Sequence, residues 1–185
     1  MIWLITGLAL FLGVHVFSSL RLARERLVAR LGEGPYKGLY ALLSLAGFLL
    51  IVTGMGRAPS VELWEPPEWG RHVAIWFMPF ALILFVGAYI PGNLKRFTAH
   101  PMLWAVTLWA LVHLLANGDL TGLLLFGGFG AYALYAMWSQ NRRGAQPSST
   151  RRSIAGDIAA IATGLIAYAL LLKFHAGLFG VAVSY

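Results

Sequence analysis

The residues of this chain with the widest chemical reach are its five histidines, His15, His72, His100, His113 and His175. The chain has no cysteine, which excludes a disulfide framework, a thiolate metal site and a cysteine nucleophile. Ligation of a metal or cofactor therefore falls to His, Met, Tyr and carboxylates. Met1, Met55, Met78, Met102 and Met137 are scattered and do not make the clustered soft site that copper favours. No HExxH and no three-ligand zinc cluster is visible, and no nucleophile elbow supports a Ser-His-Asp triad at Ser18 or Ser19. Two histidines stand apart from the others. His15 lies within IWLITGLALFLGVHVFSSL and His113 within PMLWAVTLWALVHLLANGDL, and a polar ring in an apolar segment of that length is costly unless it is partnered or used.

Two neutral imidazoles on separate helices can bind a metal in an apolar pocket without burying net ligand charge. Haem suits them best, because the macrocycle supplies the other four iron ligands and its apolar faces favour a helix bundle. The alternatives are proton handling, or a structural hydrogen bond from each ring to a neighbouring helix. Trp109 lies one turn before His113 and Asn117 one turn after, so the three share a face that points inward. Asp119, just past that helix, either orients a ring N–H or is solvated. Ser18 and Ser19 follow His15 closely enough to bond within the helix or orient its ring. His100 precedes Pro101 at a helix start, which reads as a capping residue or as a ligand or propionate contact. His72 and His175 fall near the outer surface as interfacial residues; they share the side of His113, which leaves a second pairing open.

The elements that must carry these residues are membrane helices. Hydrophobic residues make up 59% of the 185, charged residues 11%, and mean hydropathy is +0.72, a balance that suits lipid as solvent. Apolar stretches of near-spanning length occupy 2–20, 38–55, 72–90, 101–116, 120–138 and 154–172, predicting an all-α, polytopic bundle of six transmembrane helices. Eleven of the fourteen Lys and Arg fall in alternate connections, at Arg21, Arg24, Arg26, Arg30 and Lys37, then Lys95 and Arg96, then Arg142, Arg143, Arg151 and Arg152. By the positive-inside rule both termini then lie on the non-cytoplasmic side. The formal charge of +7 therefore reads as topology and not as a nucleic-acid footprint.

The segment MIWLITGLALFLGVHVFSSL lacks a basic n-region and a small-residue cleavage site, and reads as an uncleaved first helix. Pro79 should kink the third helix. Gly156, Ala160 and Gly164 form a small-residue stripe for close helix packing. NRRGAQPSSTRR is the one linker-like segment, loose enough for the sixth helix to pack as a semi-detached element. Trp64, Trp69, Trp138 and Tyr89 fit interfacial belts. Gly127, Gly128 and Gly130 lie in an apolar helix and not at a phosphate-binding turn, so nucleotide binding is unsupported.

The same residues carry a family likeness. From FLGVHVFSSLRLARERLVARLGEGPYKGLYALLSLAGFLLI through LWEPPEW to HPMLWAVTLWALVHLLANGDLTGLLLFG, over roughly residues 1–140, the chain resembles the NnrU family of bacterial membrane proteins, whose relatives include the plant 15-cis-zeta-carotene isomerase. The resemblance implies an NnrU-like five-helix core over 1–140 in the bacterial inner membrane; hydropathy and charge add, over 141–185, a basic cytoplasmic loop and a sixth transmembrane helix of the same domain. It implies a role supporting nitrite or nitric oxide reductase function in denitrification, or a carotenoid-type cis-trans isomerisation. Members of the isomerase branch resemble haem b proteins whose histidine ligation changes with iron redox state. By that likeness His15 and His113 are the expected axial ligands to haem b, and His100 is the other shared histidine and a further cofactor contact; Trp109 and Asn117, on the helical face of His113, are expected cofactor contacts from their spacing. The implied partners are the lipid bilayer and either a respiratory reductase or an apolar polyene. The rival expectation from another class is a non-haem assembly or structural factor for a respiratory reductase.

Overall fold

A computed structural model describes residues 1–181 and 183. Among the described residues seven main helices follow one another: α1 (Ile2–Ser19), α2 (Arg21–Leu31), α3 (Glu33–Arg57), α4 (Gly70–Gly87), α5 (Pro101–Ala116), α6 (Leu120–Arg142) and α7 (Ile154–Phe179), with a short 3-10 turn at Leu94–Arg96 between α4 and α5. All six expected apolar segments are helical. Five of them, α1, α3, α4, α6 and α7, are long and apolar enough to cross a bilayer. The remaining one, α5, is apolar but has 16 residues, about 24 Å of helix. The bundle turns an apolar exterior outward: Trp76 is 73% exposed and Leu42 67%, an arrangement that suits lipid and not water. This is a membrane helix bundle.

One element has no counterpart in the hydropathy reading. The basic connection after α1, RLARERLVARL, forms α2, because Leu, Ala, Arg and Glu are strong helix formers whatever their polarity. Gly32 then turns the chain at φ +86°, a conformation that costs glycine little. In α3 the Lys37 ammonium meets the Glu33 carboxylate at 2.7 Å, one turn apart, so the helix begins five residues before its apolar stretch.

Small residues set the helix pairs. On the antiparallel pair α1 and α3, a Cβ at Gly7 would sit 2.6 Å from the Ile51 nitrogen, one at Gly47 2.8 Å from the Phe11 nitrogen, and one at Gly54 would run into the Leu4 backbone. Leu4 is fully buried there, with Leu8 and Ile51. Gly70 of α4 lies against the Leu115 carbonyl of α5. The stripe on α7 packs on α4, with Gly156 on Pro91, Ala160 on Gly87 and Gly164 on Ile83. Helix α6 packs on both α1 and α5, and so joins the α1/α3 half to the α4/α5/α7 half.

Pro79 lies inside α4 without ending it. Having no N–H, it cannot bond the carbonyl of Ile75, four residues before it. The Tyr168 hydroxyl of α7 donates to that carbonyl at 3.0 Å, so a proline and a tyrosine on different helices together satisfy one backbone group in an apolar setting.

The loops at the two ends are tied down as well. The loop after α3 crosses the end of α5, where the Leu63 and Trp64 N–H groups both donate to the Gly118 carbonyl, and Leu120 N–H donates to the Val61 carbonyl. At the other end the segment before α7 is pinned and not loose. Ser148 N–H donates to the Lys95 carbonyl at 2.8 Å, Arg152 N–H to Asn93 Oδ1 at 2.9 Å and Asn93 Nδ2 to the Arg152 carbonyl at 3.0 Å. Asn93 also donates, through its backbone N–H and its Nδ2, to the two carboxylate oxygens of Asp157, both at 2.6 Å.

Candidate functional site

His15 and His113 are held in the same way. His15 donates Nδ1–H to the Phe11 carbonyl at 2.7 Å, and His113 donates Nδ1–H to the Trp109 carbonyl at 2.8 Å, each one turn back in its own helix. Each bond fixes the tautomer. The Nε2 lone pair of each ring is left with no hydrogen-bond partner among the described residues. Neither Nε2 is a fully buried orphan. A histidine with one nitrogen tied to a carbonyl and the other free is in the state that metal ligands adopt.

Aromatic side chains surround both rings. His15 stacks on Phe11 at 4.3 Å between centroids and meets Tyr40 of α3 and Tyr132 of α6 at 5.3 and 5.8 Å. His113 stacks on Phe126 at 4.7 Å and meets Trp109 at 5.4 Å. Phe129 closes the gap, 5.5 Å from Phe11 and 5.7 Å from Trp109. The result is one row across the bundle, His15, Phe11, Phe129, Trp109, His113, lying against α6. His15 meets α6 at Tyr132 and His113 meets it at Phe126, so their levels differ by six residues, about 9 Å along the helix axis.

Phe126 belongs to a π turn, Leu123–Gly127, inside α6. Such turns insert a residue into the helical ladder and recur at functional sites. Neither the π turn nor the row of phenylalanines is marked in the hydropathy pattern. Gly127, Gly128 and Gly130 gave the available signal, since glycines loosen a helix enough to accommodate the extra residue.

The other expected site residues fall in different places. Trp109 belongs to the row. Asn117 reaches the backbone of His113 and not its ring, donating Nδ2–H to the His113 carbonyl at 2.8 Å. Asp119 caps the start of α6 by accepting from Gly122 N–H at 2.8 Å. His100 is 7% exposed at the N-cap of α5, with Pro101 at the first helical position, and its Nε2–H donates to Asn141 Oδ1 at 2.7 Å. It thus ties α5 to the end of α6, thirteen residues from His113. Ser18 pairs with the Tyr36 hydroxyl, while Ser19 donates to the Val16 carbonyl within α1. It is the Phe11 carbonyl, and neither serine, that orients His15.

His72 is exposed and His175 partly buried. His175 donates Nδ1–H to the Val181 carbonyl at 2.7 Å. The antiparallel registers set by Gly70 against Leu115 and by Gly164 against Ile83 bring His72, His113 and His175 to one level on α4, α5 and α7. Among the described residues no three His, Asp or Glu side chains converge on a metal site.

The sequence model of the family described as NnrU protein matches residues 3–183. The chain belongs to the NnrU family. The match runs through α7, beyond the 1–140 region that carries the visible likeness, so the last helix is part of the NnrU unit. No curated protein and no solved structure matches the chain. Within the NnrU fold described above, an apolar cleft of about 220 Å³ between α4 and α5, lined by Met78, Ala81, Leu82, Phe85, Val106 and Trp109 among others, ends on the aromatic row.

Proposed function

We propose that this NnrU-family protein is a haem b protein of the bacterial inner membrane, with His15 and His113 as the residues that hold the iron. The observation that carries the reading is the state of the two rings, each with Nδ1–H tied to a backbone carbonyl and Nε2 free. That donor set fits haem: two neutral nitrogen ligands in an aromatic, apolar setting, with the macrocycle completing the coordination. In the same reading α5 is the sixth span, and the concentration of Lys and Arg at one end of the bundle supports both termini on the non-cytoplasmic side. His100, Trp109 and Asn117 take supporting roles, Trp109 by packing on the His113 ring, Asn117 and His100 by fixing the ends of α5.

Haem held by these histidines would supply one-electron chemistry or, with one histidine released, a Lewis-acid iron. The biological role that accords with the family is support of nitrite or nitric oxide reductase function in denitrification. A carotenoid-type cis-trans isomerisation is the enzymatic form of the same proposal, and the apolar cleft between α4 and α5 is where a polyene would reach Trp109 from the bilayer. The two ligand pairings make different demands. His15 and His113 on one iron require the Phe11, Phe129 and Trp109 row to part, whereas His113 with His175 or His72 starts from a common level.

The offset between the rings of His15 and His113 favours a second reading, a structural or assembly factor for a respiratory reductase in which both histidines serve only as packing residues. The test is the haem content and optical spectrum of purified His113→Ala, His15→Ala and His175→Ala variants beside the parent. Loss of haem in His113→Ala, together with a change from six- to five-coordinate iron in one of the other two, identifies the pair. Full parental spectra in both His113→Ala and His15→Ala overturn the ligand assignment. A colourless protein that copurifies with reductase subunits establishes the assembly factor instead.

A further inference from the structure

A second site lies at the basic end of the bundle, where α4 ends and the segment before α7 folds back on it. A cavity of about 200 Å³ is lined there by Tyr89, Lys95, Ser148, Thr150 and Arg152, with Ile90 and the Pro91–Gly92 turn as its apolar wall. Two basic residues, Lys95 and Arg152, and three hydroxyl-bearing ones, Tyr89, Ser148 and Thr150, line one small space. Among the described residues no carboxylate pairs with Lys95 or Arg152. The nearest acid, Asp157, has both of its oxygens engaged by Asn93. The walls are fixed, because Ser148 N–H holds the Lys95 carbonyl and Arg152 is bonded to Asn93 through both its N–H and its carbonyl. Thr150 N–H donates to Ser148 Oγ at 3.2 Å, which leaves the Ser148 O–H itself to donate.

We propose that this cavity is a phosphate site that seats the headgroup of an anionic phospholipid. Two unpaired cations beside hydroxyl donors match the charge and the several acceptor oxygens of a phosphate. The lipid origin rests on what adjoins the cavity. Tyr89 lines it and is 66% exposed, Phe97 beyond Lys95 is 82% exposed, and the apolar side of α4 begins directly behind Ile90. A ligand with its phosphate between Lys95 and Arg152 thus has an apolar helix surface along which its acyl chains can lie. Basic pockets between membrane helices seat lipid headgroups on the same physical grounds.

The experiment is native mass spectrometry of the full-length protein released from detergent after incubation with dioleoyl phosphatidylglycerol, dioleoyl phosphatidylcholine or inorganic phosphate. The parent should retain one phosphatidylglycerol in preference to phosphatidylcholine, whose choline cation is repelled by the lining. A Lys95→Gln, Arg152→Gln double variant should weaken that retention roughly tenfold, since each substitution removes a charged donor. Arg26→Gln on exposed α2 should leave it unchanged, and Lys95→Arg should preserve it, which separates a lost site from a lost fold. Equal retention by parent and double variant overturns the site. Retention of inorganic phosphate with no phosphatidylglycerol retained overturns the lipid as the source of the phosphate group.

Discussion

Replacing Tyr168 with phenylalanine tests whether the helix pair α4/α7 is held by the backbone group that Pro79 leaves open. The tyrosine hydroxyl donates to the Ile75 carbonyl at 3.0 Å, and phenylalanine keeps the ring while removing that donor. A buried carbonyl stripped of its partner costs about 1–3 kcal/mol in water-soluble proteins. Hydrogen bonds between membrane helices average about 0.6 kcal/mol and reach about 1.7. The expected loss is therefore about 1 kcal/mol, roughly a fivefold change in the unfolding equilibrium. The sharper form of the test is a double-mutant cycle. In a Pro79→Ala background residue 79 regains an N–H that can bond Ile75 within α4, so Tyr168→Phe should then cost only a few tenths of a kcal/mol. Unfolding of the four proteins in mixed detergent with increasing dodecyl sulfate, followed by helical circular dichroism, measures all four corners. An equal cost of Tyr168→Phe in both backgrounds would refute the reasoning, because the hydroxyl would then act independently of the proline.

Three further outcomes follow from packing and pinning. Gly54→Val should destabilise the bundle by about 2 kcal/mol or more, since its Cβ meets the Leu4 backbone and not a movable side chain. Gly56→Ala, which opens onto empty space in the same helix, should leave the dodecyl sulfate midpoint unchanged or raised; equal damage from both would refute the α1/α3 contact. Asn93→Ala removes the side-chain bonds to Asp157 and Arg152 and should speed tryptic cleavage at Arg151 and Arg152 by roughly fivefold, the effect of about 1 kcal/mol on local opening; an unchanged rate would show that the pin does not hold this segment. His100→Ala should lower thermal stability by about 1–2 kcal/mol through loss of the tie to Asn141 while leaving any haem spectrum intact, and a bleached variant would instead make His100 part of the cofactor site.

Much of the architecture was legible because the bilayer imposes a long-period signal. Apolar runs of 16 to 19 residues, with most of the cations gathered in alternate connections, locate every one of the large helices, and the stripe at Gly156, Ala160 and Gly164 does lie where a neighbouring helix closes in. The basic helix α2 was not legible, since propensity without an apolar period leaves no mark in hydropathy. The two histidines could be singled out because polar rings are rare in such segments, yet their settings could not. Phe11, Phe126 and Phe129 look like any lipid-facing phenylalanine until the fold turns Phe11 toward α6 and turns Phe126 and Phe129 toward α5 and α1, and the π turn that carries Phe126 depends on packing that glycines permit but do not dictate. Asn117 shares a helical face with His113 yet bonds its backbone, because a short amide at the end of a helix finds the carbonyl one turn back before it finds a ring. Pro79 announces an open carbonyl at Ile75, but the donor that fills it comes from a helix 93 residues away.

The central claim, that the two intramembrane histidines are present to hold haem, is tested most directly by a pyridine haemochrome assay on the detergent-purified protein, with spectra taken oxidised and dithionite-reduced. About one haem b per chain, with a six-coordinate reduced spectrum that is lost in His113→Ala, is the predicted result. A protein that remains colourless after haem is supplied during expression would contradict it and leave the aromatic row as packing alone.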